Sequence, residues 1–322
     1  MIRDPVLQND WHPLAKSEDV REDIVIGGRL LGEDLAIWRC GGEVLVWKDL
    51  CMHRGTRLSL GWIDGKTLVC AYHGWTYDST GRCVRMPAHS DQKPPEKAQV
   101  TVYKSKEEYG LVWASLGDPA MSVPPFPEWG NREYRKILCG PYSYSASAPR
   151  AIENALDVAH FPFVHEGLLG DRKHTEIEDY EVETGPNGIV AKDIRVWQPD
   201  PDGTGIGASV SYTYRVFRPL SMHFSKSSGA KNFAIFFTVC PVEERKSIAW
   251  LWIAMDYGND QSADELRAFQ DKVTMQDVPI VESQRPELLP LDLQAELHLR
   301  SDRTSIAYRK WLRELGVSFG TA

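Results

Sequence analysis

The stretch CMHRGTRLSLGWIDGKTLVCAYH, residues 51–73, carries two Cys–His pairs, Cys51 with His53 and Cys70 with His73. Thiolate and imidazole at such close spacing form a metal-ligating pattern. Four such donors suit one zinc ion held as Cys2His2. They suit equally a [2Fe–2S] centre in which two cysteines bind one iron and two histidines the other. Spacing alone leaves both open.

Working outward, residues 20–115 read as short strands separated by tight turns, with strands near 23–26, 35–39, 44–47, 68–70 and 111–114. Glycines at 27–28, 41–42 and 65 fall between them as turn residues. The N-terminal part is therefore an all-β module. Four prolines in GDPAMSVPPFPEWG, residues 117–130, permit neither helix nor ladder. The boundary falls there, giving domains 1–130 and 131–322.

The second domain opens on PRAIENALDVAHFPFVHE, residues 149–166. Asn154, Asp157 and His160 recur every third residue and share one face of a helix. His165 would point about 140° away from His160 on an unbroken helix. Pro162 breaks the helix just after His160 and lets His165 swing round. Two imidazoles plus a carboxylate form the facial triad of non-haem Fe(II) oxygenases. Two hydrogen-bonded histidines beside a helix end are the plain alternative.

Beyond a turn-rich loop at 198–207 come strand-like runs such as SVSYTYRVF, NFAIFFTVC and SIAWLWIAMDY, which read as one curved antiparallel sheet. Two helices follow, one capped by Ser262, the other capped by Ser301 or Asp302 and stopped at Gly316. The fold class is α+β. On the first of these helices Leu266, Phe269, Val273 and Ile280 make an apolar stripe. With Leu266 at zero, Asp277 falls at about +20°, inside the stripe, and Glu282 at about 160°. A carboxylate on a buried stripe is costly unless paired or coordinated, so Asp277 is the candidate third ligand, with a salt bridge as the alternative.

The chain has 322 residues, 42% of them hydrophobic, and a net charge of −8. That acidity argues against nucleic acid or anionic membrane as a general partner. The N-terminal stretch MIRDPVLQNDWHPL has no apolar core of a leader and no window approaches a membrane span, so the expected compartment is the cytoplasm. Cys40, Cys83, Cys139 and Cys240 lack ligand spacing and read as buried thiols. His223 is the one further histidine that could face a pocket, an ordinary surface or turn position being the plainer reading, while His12, His89, His174 and His298 read as structural or exposed.

CMHRGTRLSLG and CAYHGWTYDSTGRCVRMPA resemble the two cluster-binding loops of Rieske proteins, which favours the [2Fe–2S] centre over zinc. Thr56 and Tyr72 stand where respiratory Rieske proteins link the loops by a disulfide. Trp75 replaces a serine that bonds cluster sulfur there, implying a potential near the low end of the range, about −150 mV. QDVPIVESQRPELLP resembles the third-ligand segment of vanillate- and dicamba-type demethylases, with Gln276 in place of a glutamate beside Asp277. The chain thus resembles the α subunit of a Rieske non-haem iron oxygenase over nearly its full length. It looks most like the α-only branch of saxitoxin-pathway hydroxylases, caffeine-type N-demethylases and vanillate-type O-demethylases.

The resemblance implies a Rieske domain followed by a helix-grip (START-like) catalytic domain. The cluster would sit on Cys51, His53, Cys70 and His73, and mononuclear Fe(II) on His160, His165 and Asp277. Asp157 would join His160 to a cluster histidine of the adjacent subunit in a homotrimer, free or stacked, with Asn154 near the iron. Electrons would come from NAD(P)H through a reductase, with or without a ferredoxin. The implied activity is monooxygenation with O2, hydroxylating or O-/N-demethylating a small aromatic or polycyclic substrate. A cis-dihydroxylating dioxygenase, or an electron carrier or binding protein without oxygenase activity, remain the alternatives.

Overall fold

The computed structural model describes residues 4–229 and 231–322. Residues 1–3, which open the stretch read for a leader, and Ala230 lie outside the described residues. Two compact units result, the first ending at Val123 and the second beginning at Pro124.

In the first unit a short helix α1 (Pro5–Gln8) is followed by β1 (His12–Lys16), β2 (Val25–Leu30), β3 (Glu33–Cys40) and β4 (Glu43–Lys48). Then come β5 (Trp62–Asp64), β6 (Thr67–Val69), β7 (Thr76–Tyr77), β8 (Cys83–Arg85), β9 (Val102–Glu108) and β10 (Leu111–Ser115). They form a six-stranded sheet, β1-β10-β9-β4-β3-β2, and a four-stranded sheet, β5-β6-β7-β8. Gly41 and Gly42, with φ of 62° and 87°, make the β3–β4 turn. Gly27 and Gly28 are not turn residues: they lie inside β2, and the turn follows at Leu31–Gly32. A Cβ on Gly28 would come within 2.9 Å of the tip of the Ile37 side chain, so that glycine sits in close strand packing rather than in a turn. Trp38 and Trp47 pack edge to face with centroids 4.9 Å apart, in a core that also contains Cys51, Leu58, Leu68, Cys70 and Tyr77. The two cluster-loop cysteines are thus anchored in packed apolar material.

The second unit begins with β11 (Arg135–Tyr144), α2 (Ala148–Leu156) and α3 (Phe161–Val164). It continues through β12 (Glu181–Gly185), β13 (Gly188–Gln198), β14 (Ala208–Arg218), β15 (Ser221–Ser228), β16 (Lys231–Glu243) and β17 (Lys246–Met255). Helices α4 (Ala263–Ser283) and α5 (Arg303–Leu315) close it. All seven strands form one antiparallel sheet, β11-β17-β16-β15-β14-β13-β12. Ser262 and Glu265 form a reciprocal capping box at the start of α4, and Gly316 ends α5 at φ 81°. Tyr142 donates to Asp271 (2.6 Å) and Arg267 to the Leu138 carbonyl (3.0 Å), fixing α4 against β11. Arg309 of α5 grips Glu153 of α2 through two hydrogen bonds of 2.5 and 2.8 Å. That buried bidentate pair fixes the helix leading into the 157–165 segment.

Two expectations change here. The helix ends at Leu156, so Asn154, Asp157 and His160 do not share a helical face. Asp157 is extended (φ −85°, ψ 137°), and its carboxylate accepts from the Ala159 N–H at 2.8 Å, a local bond that competes with the helix. Pro162 therefore breaks nothing; it sits in the first turn of α3, where its missing N–H costs little. On α4 the buried residues are Gln270, Val273, Thr274, Val278 and Val281, while Phe269 and Ile280 are exposed. The buried face is rotated roughly 80° from the apolar stripe. Gln270 donates to Thr274 at 3.2 Å on that face, a buried polar pair that a hydrophobic stripe overlooks. Asp277 lies within both faces.

Candidate metal centres

In the first unit Cys51 and Cys70 are almost fully buried, whereas His53 and His73 lie toward the surface. The two imidazoles meet edge to face with centroids 4.5 Å apart, and Trp75 stacks on His53 at 4.6 Å. Zinc needs all its donors within one small tetrahedron. Among the described residues, however, only His160, His165 and Asp277 bring three donor atoms within 4.8 Å of one another. A two-iron cluster, which separates the cysteine pair from the histidine pair, fits the wider spread of the four N-terminal donors. Cys51 Sγ lies 3.2 Å from Tyr77 Oη, which also accepts from the Met52 N–H at 3.1 Å; against a ligating thiolate, which has no proton, the phenol O–H would be the donor. Replacement of the serine by Trp75 therefore does not leave the sulfurs without a hydroxyl donor. Tyr77, only seven residues beyond Cys70, was the residue overlooked in that loop.

In the second unit three elements converge. His160 ends the extended link after α2, His165 caps α3, and Asp277 comes from α4. His160 Nε2 is 3.2 Å from His165 Nε2, and Asp277 Oδ1 lies 3.4 and 3.0 Å from the two. Edges of this length suit three donors on one ion at about 2 Å. The outward nitrogens are also fixed: His160 Nδ1 faces Asp157 Oδ2 and His165 Nδ1 faces Gln276 Oε1, both at 2.9 Å. Donation from each Nδ1–H leaves both Nε2 lone pairs aimed inward. Asp277 Oδ1 is buried and accepts no hydrogen bond. Three acceptor atoms facing one another in a buried space demand a cation. Without a metal that cation is a proton: burial opposes charge on His160, but Asp157 and Asp277 outweigh it and raise its pKa to about 9. Burial likewise disfavours the Asp277 carboxylate, yet the two imidazoles hold it below the usual carboxylate value.

Asn154 lines the same cavity as the three donors. Gln276 is a finding of the structure, because adjacency to Asp277 in sequence does not show which atom its amide meets. His223 is neither a cavity residue nor a surface or turn one: it lies inside β15, buried, with Nε2 3.0 Å from Glu128, and it does not line the cavity. Cys83, Cys139 and Cys240 are buried, but Cys40 is only partly so. His12 is buried on the Leu7 carbonyl (2.7 Å), and His174 stacks on Trp197.

The cavity has a volume of about 310 Å³. Its wall combines apolar side chains of β16 and β17, such as Phe233, Ile253 and Met255, with the α4 face bearing Leu266 and Val273. Asp200, Pro201 and Gly203 of the 198–207 loop edge it.

Comparison with known proteins places this geometry. Residues 10–104 match the Rieske [2Fe-2S] domain, and residues 144–317 match the vanillate O-demethylase oxygenase C-terminal domain. The chain is 33% identical to the methylxanthine N1-demethylase NdmA of Pseudomonas putida, across 96% of this chain and 89% of that protein. A solved structure of Pseudomonas putida CBB5 NdmA with caffeine superposes with a TM-score of 0.83 at 31% identity, covering 96% of this chain and 91% of that one. The oxidoreductase NdmD of Pseudomonas putida is 46% identical over 113 residues, 34% of this chain and 19% of that protein.

Proposed function

The chain belongs to the Rieske non-haem iron oxygenases with a vanillate O-demethylase-type C-terminal domain, and on that premise we propose oxidative demethylation of a small, flat, largely apolar substrate. The observation that carries this reading is a cavity of about 310 Å³ whose wall contains His160, His165 and Asp277. It is large enough for one or two fused rings and carries few charged groups. The methyl leaves from nitrogen or oxygen: R–X–CH3 + O2 + 2 e⁻ + 2 H⁺ gives R–XH, formaldehyde and water.

In this reading Cys51, His53, Cys70 and His73 hold the [2Fe–2S] cluster, and His160, His165 and Asp277 hold Fe(II). The bound centres supply single electrons and O2 activation; the rest is the work of side chains. Asp157 and Gln276 keep the proton of each imidazole on Nδ1. Asn154 borders the reacting methyl. Aromatic and aliphatic side chains exclude bulk water, which protects the oxidising site from unproductive protonation. The cluster domain and the catalytic domain, divided within the proline-rich stretch 117–130, are the two functional domains of this scheme. Its setting is a cytoplasmic homotrimer, with a reductase passing electrons from NAD(P)H. Support for a reducing compartment comes from a ligand set that needs free thiolates. No helix among the described residues is long and apolar enough to cross a membrane.

A single turnover tests the reaction without a reductase. The iron-loaded protein is fully reduced, freed of reductant, and exposed to O2 with O-methyl, N-methyl and unmethylated aromatic compounds. Formaldehyde equimolar with demethylated product is expected. One added oxygen without formaldehyde would make the enzyme a hydroxylase instead, and two added oxygens a dioxygenase.

A further inference from the structure

One wall of the cavity is built from adjacent strands in register. Tyr212 pairs with Lys226, and Lys226 with Phe233; on the next row Tyr214 pairs with Phe224. All five side chains line the cavity. Among these aromatic rings Lys226 is a lone cation. Its Nζ donates to Gln198 Oε1 (2.7 Å) and the Pro201 carbonyl (3.0 Å) and lies 5.2 Å from the Phe233 ring centroid. An ammonium has three N–H donors, so one remains after those two bonds. Gln198, itself buried, is held from its other end by donation to Tyr212 Oη at 2.8 Å, which fixes where the amine stands.

We propose that Lys226 is a specificity residue that donates to a neutral carbonyl oxygen of the substrate. This rests on the demethylase reading and narrows it to flat molecules bearing a ketone-, amide- or ureide-type carbonyl. A carboxylate is the poorer match. Asp200 and Asp202 both act on Lys226, and Asp202 is itself only 3.6 Å from Lys231, so the local charge is already balanced. An added carboxylate would lose its water against an apolar wall without an unmatched cation to meet it.

The test is calorimetric binding to the oxidised, iron-loaded enzyme with three probes of one shape: 4-methoxyacetophenone, 4-ethylanisole and 4-methoxybenzoate. The ketone is expected to bind at least about tenfold more tightly than either of the others. Lys226→Met should remove most of that preference and leave 4-ethylanisole within about twofold. In turnover with the ketone, KM should rise while kcat changes little, as for loss of uniform binding. Unchanged cluster absorbance and a melting temperature no lower than that of the wild type check that Lys226→Met folds. A wild type that does not prefer the ketone, equal weakening of all three probes by Lys226→Met, or tightest binding of the benzoate would each overturn the proposal. A ketone preference that depends on Lys226, without formaldehyde from any probe, would sink the demethylase reading and leave the recognition site standing. Formaldehyde release with binding indifferent to Lys226 would do the reverse.

Discussion

The two candidate metal centres are built in opposite ways. The four donors of the first lie within 23 consecutive residues, on loops tied into one small sheet. The three donors of the second are drawn from a chain kink and from a helix more than a hundred residues downstream, which carries Asp277 and the Gln276 that meets His165 across 111 residues of sequence. The first leaves its imidazoles toward solvent, where an electron can arrive. The second buries its donors behind a cavity wall, where charge is expensive and every outward nitrogen needs a partner. A local site can be read as a motif, whereas an assembled one depends on how its supports are packed.

If the centres are independent in this way, Asp277→Ala should have the largest effect. Iron analysis should fall from three per chain to two, formaldehyde should drop at least about a thousandfold, and the visible spectrum of the cluster should persist. Loss of the cluster spectrum in this variant would break the comparison.

The supports of the assembled centre come next. Asp157→Asn and Gln276→Leu should each weaken Fe(II) binding or turnover by about 10- to 100-fold. Metal titration against a competing chelator measures this, and an unchanged affinity in both would show that packing alone holds the rings.

In the local centre, Tyr77→Phe should lower the cluster potential by about 20–60 mV. That is one hydrogen bond of about 0.5–1.5 kcal/mol expressed for a one-electron couple, lost from the more negative reduced state. A redox titration followed by electron paramagnetic resonance would detect it.

The smallest effect concerns the cavity. Burial lowers the Lys226 pKa to about 8, against about 10.4 in an unfolded chain. The folding penalty is full below pH 8, where the amine is protonated in both states, and disappears above about pH 10.4. Relative to wild type, Lys226→Met should therefore lose stability as pH rises through that window. Paired denaturation curves at pH 7.5 and 10.5 would show it, and a difference independent of pH would mean that the amine is not desolvated.

The sequence by itself carried the N-terminal donors, the strand-and-turn character around them, the antiparallel second sheet and the Gly316 helix stop. These depend on short-range rules: ligand spacing, alternation, and positive φ at glycine. It also singled out Asp277, because helical phase near an apolar stripe survives an 80° error in where that stripe faces. It does not show where α2 stops: Asp157 accepts from the Ala159 N–H and the helix ends at Leu156, four residues before His160, although Asp157 still meets His160 Nδ1. Only the tertiary structure could show Gln276 beneath His165, Glu128 beside His223, or Tyr214 and Lys226 on one cavity wall. Each of these depends on strands or helices meeting across long separations, and the free energy of a buried polar group is decided by the partner it finds there.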